Sequence, residues 1–282
     1  MTERIIVTLT TYCKRISNIP AVLDTIFSQT LKPDLVVLNL AFEELIPDEV
    51  QKYIDTHKVE VNRVPDTKVY KKLIPTLKKY PNDCIITIDD DFLYPVGMIE
   101  EFVSIHNIWP DHPISGNKEF FSGMKCHCGC ASLTKACYYG RYLENIDDDV
   151  IENCPSDDLV YTYFATKNGH PYINTRGLYF VNMQSYNELE GYSVAMGGGS
   201  EIYASFDYLI ARFGKIDDKA LVWRKYLEIV NNETQRDILC EILDSYYKDG
   251  VREGCNMIYS TKSYKLGDLI LKIGKKIRRT YS

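Results

Sequence analysis

The chain opens on an apolar run, Ile5-Ile6-Val7-Thr8-Leu9, that reads as a buried strand, and Thr10-Thr11-Tyr12 leaves it as a loop. Apolar residues then recur at Ile19, Val22, Leu23, Ile26 and Phe27, the spacing of one helical face, which predicts a helix over 19–29. Lys32-Pro33-Asp34 is a turn, 35–40 a second strand, and 47–58 a second helix with Val50, Tyr53 and Ile54 facing inward. Residues 59–64 alternate as a third strand, and 70–80 have helical spacing with Pro75 inside it. A fourth apolar run, Ile85-Ile86-Thr87-Ile88, ends in Asp89-Asp90-Asp91. The order β-α-β-α-β-α-β predicts a parallel sheet with helices on both faces.

Beyond Asp91 the rhythm changes. Residues 95–108 predict a helix with Ile99, Phe102, Val103 and His106 on one side, whereas 109–150 read as irregular and rich in Gly, Cys and Tyr. A helix is predicted over 157–169, with Asp157 and Asp158 in its first turn and Gly169 at its end. Gly197-Gly198-Gly199 reads as a flexible break, either a lid or a plain loop, and helical patterns run from Ser205 to about Tyr247. There is no internal repeat. The expected organisation is an α/β domain over 1–225 and a helical extension over 226–282. In its tail Leu266, Leu269, Ile270, Ile273 and Ile277 share one face, ringed by Lys265, Lys272, Lys275, Lys276, Arg278 and Arg279. Such a segment suits an anionic membrane surface; the competing reading is a helix packed on the domain or a dimer contact.

Composition narrows the function. A chain of 282 residues with 45% hydrophobic content can bury a real core. A net charge of −6 argues against nucleic-acid binding, which needs a basic footprint. The 22 tyrosines suit a cleft that stacks on bases or sugars, or the rim of a core. Nine cysteines, an odd count, without a recognisable secretion signal, argue for reduced thiols and a cytoplasmic protein. Cys13, Cys84 and Cys240 lie in apolar patterns and read as core residues.

The candidate chemistry is carboxylate chemistry. Acids delivered by the C-terminal end of a strand lie where open α/β folds bind ligands. Three adjacent carboxylates are tolerable if solvated, or if a cation or a set of donors sits among them. Mg²⁺ and similar hard ions take such oxygens and complete their shell with phosphate. Asp157-Asp158 is a second pair, readable as a helix cap or as a general base. Asp147-Asp148-Asp149 follows a polar loop and reads as solvated surface. Cys126-His127-Cys128-Gly129-Cys130, with Cys137, lacks the C-x₂-C spacing of a zinc knuckle and reads as small residues packed against a ligand or backbone. His170, between Gly169 and Pro171, reads as a loop residue.

Taken together, the strand order, Tyr-Lys-Lys-Leu-Ile-Pro at 70–75, Lys78-Lys79-Tyr80-Pro81, the run ending in Asp89-Asp90-Asp91, Tyr94-Pro95, Gly129-Cys130-Ala131, Tyr138-Tyr139 and Pro155-Ser156-Asp157-Asp158 resemble a family-two-like glycosyltransferase with the GT-A fold, of the kind that builds bacterial surface polysaccharide. The resemblance spans roughly residues 4–175. It implies a Rossmann-like α/β/α sandwich with a mostly parallel sheet. It implies an inverting, Mn²⁺- or Mg²⁺-dependent transfer from a nucleotide-sugar donor, UDP by default, to a glycan or lipid-linked acceptor. Thr8, Leu9, Thr10 and Thr11 would line the nucleotide pocket and Lys72 would point to the nucleotide or its phosphates. Asp89 or Asp90 would hold the ribose, Asp91 the metal, and Asp157 or Asp158 would be the catalytic base. Asn39 stands where relatives place an acid for the base. The implied location is cytoplasmic, peripheral on the inner face of the plasma membrane through the tail. Two alternatives compete. A sugar nucleotidyltransferase would need a glycine-rich phosphate loop after the first strand, where Thr10-Thr11-Tyr12-Cys13-Lys14-Arg15 has no glycine. An inactive carbohydrate-binding protein of the same fold would not need both acid clusters.

Overall fold

The computed structural model describes residues 3–57, 59–116, 120–121, 124–125, 127, 130–175, 178, 181–183 and 199–216. The four expected strands form as β1 (Ile5–Thr10), β2 (Leu35–Ala41), β3 (Glu60–Val64) and β4 (Cys84–Ile88). Short strands follow: β5 (Phe92–Leu93), β6 (Ile114–Ser115), β7 (Phe120–Phe121), β8 (Met124–Lys125), β9 (Ala131–Thr134), β10 (Ile173–Asn174) and β11 (Val181–Asn182). The helices are α1 (Ile19–Phe27), α2 (Asp48–His57), α3 (Ile74–Lys79), α4 (Met98–Ile108), α5 (Ala136–Tyr139), α6 (Asp148–Asn153), α7 (Asp157–Lys167) and α8 (Gly199–Phe213).

The central sheet has the order β3-β2-β1-β4-β9-β6-β10. It is parallel from β3 to β4, and β9 runs antiparallel between β4 and β6. Side chains alternate across β1, so its two faces build two cores. Val7 and Leu9 join α1, α2 and α4 through Ile19, Val22, Ile54 and Phe102. Ile6 joins the opposite layer of α3, α6, α7 and α8 through Leu77, Val150, Phe164 and Leu209. The result is a three-layer α/β/α sandwich. Helix α7 is buried around most of its circumference, which explains why it lacks an amphipathic stripe.

Several expectations need correction. Residues 70–80 are not one helix: a 3₁₀ turn over Lys68–Lys72 ends at Leu73, and α3 starts with Pro75 in its first turn, where the missing N–H costs no hydrogen bond. The described residues of the stretch 109–150 are not irregular; they supply β6, β9, α5 and α6 to the fold. On α4, Val103 is only half-buried, and Met98 and Ile105 complete the buried face. Cys13 is exposed in the loop after β1, whereas Cys84 is buried as expected. Cys240, Gly197, Gly198 and the whole of 226–282 lie outside the described residues. Among the described residues no helix is long and apolar enough to cross a membrane.

Candidate active site

The acids expected to act together do meet. Parallel strands end at a common edge, and β4 delivers Asp89, Asp90 and Asp91 there beside Thr10, the last residue of β1, and Thr11, which follows it. The turn is pinned from below. The Asp89 N–H donates to the Tyr94 hydroxyl at 2.8 Å, that hydroxyl donates to the Cys130 carbonyl at 2.7 Å, and the Met183 N–H donates to the Asp91 carbonyl at 2.8 Å.

The N-terminus of α7 brings the second pair to this edge. Lys72, in the 3₁₀ turn before α3, connects the two groups: its Nζ lies 2.9 Å from Asp89 Oδ1 and 3.8 Å from Asp157 Oδ2. Burial alone would lower the Lys72 pKa, but Asp157 and Asp89 outweigh it and hold the ammonium well above its usual range. Lys72 is thus a fixed positive charge between the carboxylates that follow β4 and those that open α7. Its ammonium is held by these acids rather than extended into solvent.

Asp157 and Asp158 have different surroundings. Asp157 is buried beside Lys72, and its Oδ2 makes no hydrogen bond. Burial raises its pKa, against Lys72 and the first N–H groups of α7. The Asp158 side chain keeps 26% of its surface exposed, and its Oδ1 lies 4.0 Å from His127 Nε2. Ser156, at the N-cap, makes no side-chain capping bond.

His127 was not singled out as a site residue. It is fully enclosed, with Nδ1 2.8 Å from the Tyr172 hydroxyl and Nε2 3.3 Å from Thr87 Oγ1, and its backbone N–H donates to Thr162 Oγ1 at 2.7 Å. Burial, then Lys72, pushes its pKa far below the ordinary histidine value, so the ring is neutral. Its one sequence signal was the Cys-rich stretch around it; Cys126, Cys128 and Gly129 lie outside the described residues.

Arg15 was also missed. One of its guanidinium nitrogens lies 3.1 Å from Asp90 Oδ1 and 3.1 Å from Asp91 Oδ2. Thr11 donates to the other Asp90 oxygen at 2.6 Å. Of the remaining expected pocket residues, Thr10 donates to the Asn39 carbonyl at 2.7 Å. Thr8 and Leu9 are wholly buried on opposite faces of the sheet, Thr8 against Thr76 and the Lys72 carbonyl, Leu9 in the first core. Asn39 is wholly buried too. Its amide donates to Thr8 and Thr76, each at 2.9 Å, and its oxygen accepts from Asn62 at 2.8 Å. Its side chain is a strut between strands and has no face toward solvent.

The acids at this edge offer oxygen ligands of the type that a hard divalent cation takes. Asp91 is raised to about 6, first by burial and then by Asp89, with Arg15 pulling it back. Asp90 is raised by burial despite Thr11 and Arg15. Among the described residues, Asp89, Asp90, Asp91, Asp157 and Asp158 outnumber Lys72 and Arg15, the cations that pair with them. Oxygen ligands with uncompensated charge are what Mg²⁺ and Mn²⁺ select. Among the described residues, the side chains whose possible ligand atoms all lie within 4.8 Å of one another are Glu3, Cys84 and His106, near the start of β4, where Glu3 is paired with Lys135. The Asp147–Asp149 run is a surface feature: Asp147 caps α6 through the Val150 N–H, and Arg212 pairs with Asp147 and Asp149.

No protein-family model matches the chain, and no curated protein matches it. Among solved structures it is similar to the mannosyltransferase PcManGT from Pyrobaculum calidifontis in complex with GDP-Man and Mn²⁺. Identity is 17% and the TM-score 0.55, with 89% of this chain and 76% of that one covered. The chain has the GT-A-type, Rossmann-like fold. Weaker likenesses are to residues 1–349 of S. aureus TarS in complex with UDP, at 11% identity and TM-score 0.46 over 92% of this chain and 75% of that one, and to a 4-diphosphocytidyl-2C-methyl-D-erythritol synthase, at 14% and 0.38 over 54% and 85%. In the GT-A fold of this chain, the carboxyl edge of β1 and β4 is the edge that carries the acids described above.

Proposed function

We propose that this protein is an inverting glycosyltransferase that moves a sugar from a nucleoside-diphosphate donor to a hydroxyl of a glycan or lipid-linked acceptor in surface-polysaccharide synthesis. The observation that carries the reading is the meeting of Asp89–Asp91 with Asp157–Asp158 at one sheet edge, joined through Lys72. The fold likeness to a GDP-Man- and Mn²⁺-bound mannosyltransferase supports it. The acceptor hydroxyl attacks the anomeric carbon, and its proton passes to Asp158. The bond from that carbon to the phosphate oxygen breaks, and its electron pair leaves with the nucleoside diphosphate. Direct displacement inverts the carbon. Asp158 suits the base because it is accessible, while Asp157 is closed over by Lys72. Asp89 is the more exposed partner for the ribose, since both Asp90 oxygens are already bonded. Mn²⁺ or Mg²⁺, held by Asp91, would offset the charge of the leaving diphosphate. Lys72 supports the same end by holding Asp89 and Asp157 in place.

The test uses calorimetry with UDP- and GDP-sugars and donor hydrolysis without acceptor. Asp158→Asn should bind donor and Mn²⁺ normally while hydrolysis falls by ~10²–10⁴-fold. Asp91→Asn should lose the Mn²⁺-dependent part of donor binding. Normal hydrolysis by Asp158→Asn would move the base elsewhere, and no binding of any nucleotide sugar by the wild type would sink the transferase reading. Sugar nucleotidyl transfer is less well supported, because the loop after β1 has no glycine for a phosphate cradle. The reading extends to the 226–282 extension as a helical appendage. Its basic amphipathic tail would hold a cytoplasmic enzyme on an anionic membrane. Deleting 264–282 should then abolish flotation with anionic vesicles; flotation of the shortened chain would reject the anchor.

A further inference from the structure

We infer that Arg15 is a built-in counter-ion that occupies the metal-binding face of Asp90 and Asp91 and exchanges it for the donor diphosphate when metal and nucleotide bind together. This rests on the donor reading given above. A single guanidinium nitrogen bridges Asp90 Oδ1 and Asp91 Oδ2, at 3.1 Å from each. A divalent ion held by Asp91 would sit about 2.1 Å from a carboxylate oxygen. Guanidinium and ion would therefore draw on the same lone pairs, and their like charges would repel at that range. Both acids are almost fully buried, so without some cation their mutual repulsion would be poorly screened. Arg15 supplies that cation in the absence of ligand.

The residue is placed to leave. It lies in the loop between β1 and α1, its side chain keeps 20% of its surface exposed, and it rests on the Tyr12 ring at 5.6 Å. The planar fork of a guanidinium matches phosphate oxygens as well as carboxylates. A diphosphate arriving at the sheet edge can take Arg15 from the acids and free Asp91 for the metal. Metal and nucleotide then bind cooperatively, because each removes a cost that the other would face alone.

The test reads Mn²⁺ binding to the full chain by the loss of its free electron-paramagnetic-resonance signal, with and without UDP or GDP. In the wild type Mn²⁺ alone should bind weakly, and the better of the two nucleotides should tighten it by the order of tenfold. Arg15→Gln should bind Mn²⁺ alone several-fold tighter, and the coupling factor should fall toward one. Arg15→Lys, which keeps a charge but not the fork, should keep weak binding of Mn²⁺ alone and lose part of the coupling. Equal or weaker affinity of Arg15→Gln for Mn²⁺ alone overturns the exchange. A coupling factor of one in the wild type overturns it as well, without relying on any variant. Asp91→Asn in both backgrounds separates the two readings: if Mn²⁺ binding survives that change, the metal assignment fails, whatever Arg15 does.

Discussion

Asp91 carries the clearest energetic signature of the site. Its carboxyl is shifted from 3.8 to about 6, by burial first and by Asp89 next, with Arg15 opposing. A carboxyl whose folded pKa lies above its unfolded value favours the native state while protonated. That benefit is complete below the unfolded value and is lost as pH rises through about 6. Above it the native state holds an ionised, buried carboxylate at a cost on the order of 3 kcal/mol. Asn cannot ionise. Asp91→Asn should therefore gain stability on the wild type as pH rises from about 4 to about 7, by a few degrees in Tm for a chain this long. Melting curves in metal-free buffer across that range check this, and a difference that stays flat with pH would contradict it. Saturating Mn²⁺ should shrink the gap at neutral pH, because it stabilises only the variant that can bind it.

At the scale of elements, the Asn39 amide ties together β1, β2, β3 and α3. Its donors go to Thr8 and Thr76, and its oxygen takes the Asn62 amide. Removing Asn39 leaves its buried partners Thr8 and Thr76 unsatisfied, at about 1–3 kcal/mol each. Asn39→Ala should lower stability by about 2–4 kcal/mol in urea unfolding, and a loss below about 0.5 kcal/mol would show that the strut is dispensable. The sequence raised Asn39 only as a departure from an acid that contacts the base. Its burial became visible only with Thr76, 37 residues away. The same distance rule separates what was readable from what was not. Strands β1, β2 and β4 announce themselves because both faces are buried and the runs are largely apolar, and β3 because it alternates. Strand β9 does not, since Ala-Ser-Leu-Thr buries two hydroxyls and has no hydrophobic signature. Asp89–Asp91 could be read as a site because an apolar strand points at it. Arg15 could not, because it meets Asp90 from 75 residues away.

Across the whole molecule, the two cores share one sheet. Ile6 and Val7, neighbours in β1, belong to opposite layers. The tyrosines follow the same logic: Tyr70, Tyr139, Tyr161, Tyr163 and Tyr172 are wholly buried, several edge to face. They form the interior of the second core rather than a stacking cleft. The acids sit at the sheet's carboxyl edge, with Lys72 from the second-core side and Arg15 from the loop leading to α1. Both layers thus meet at the site, and neither can melt without dissolving the edge that holds it. Ligand binding there should raise the stability of the two layers together. With donor and Mn²⁺ at about 100 times Kd, linkage gives about 2.7 kcal/mol. Calorimetry should show the α/β sandwich melting in one transition that moves up as a unit, and Asp91→Asn should lose the metal-dependent part of the shift. Hydrogen exchange adds spatial detail: amides of β1 and of α7 should slow by similar factors on binding. Protection confined to one layer would mean that the sheet does not couple them, and that the acids of α7 take no part in holding the donor.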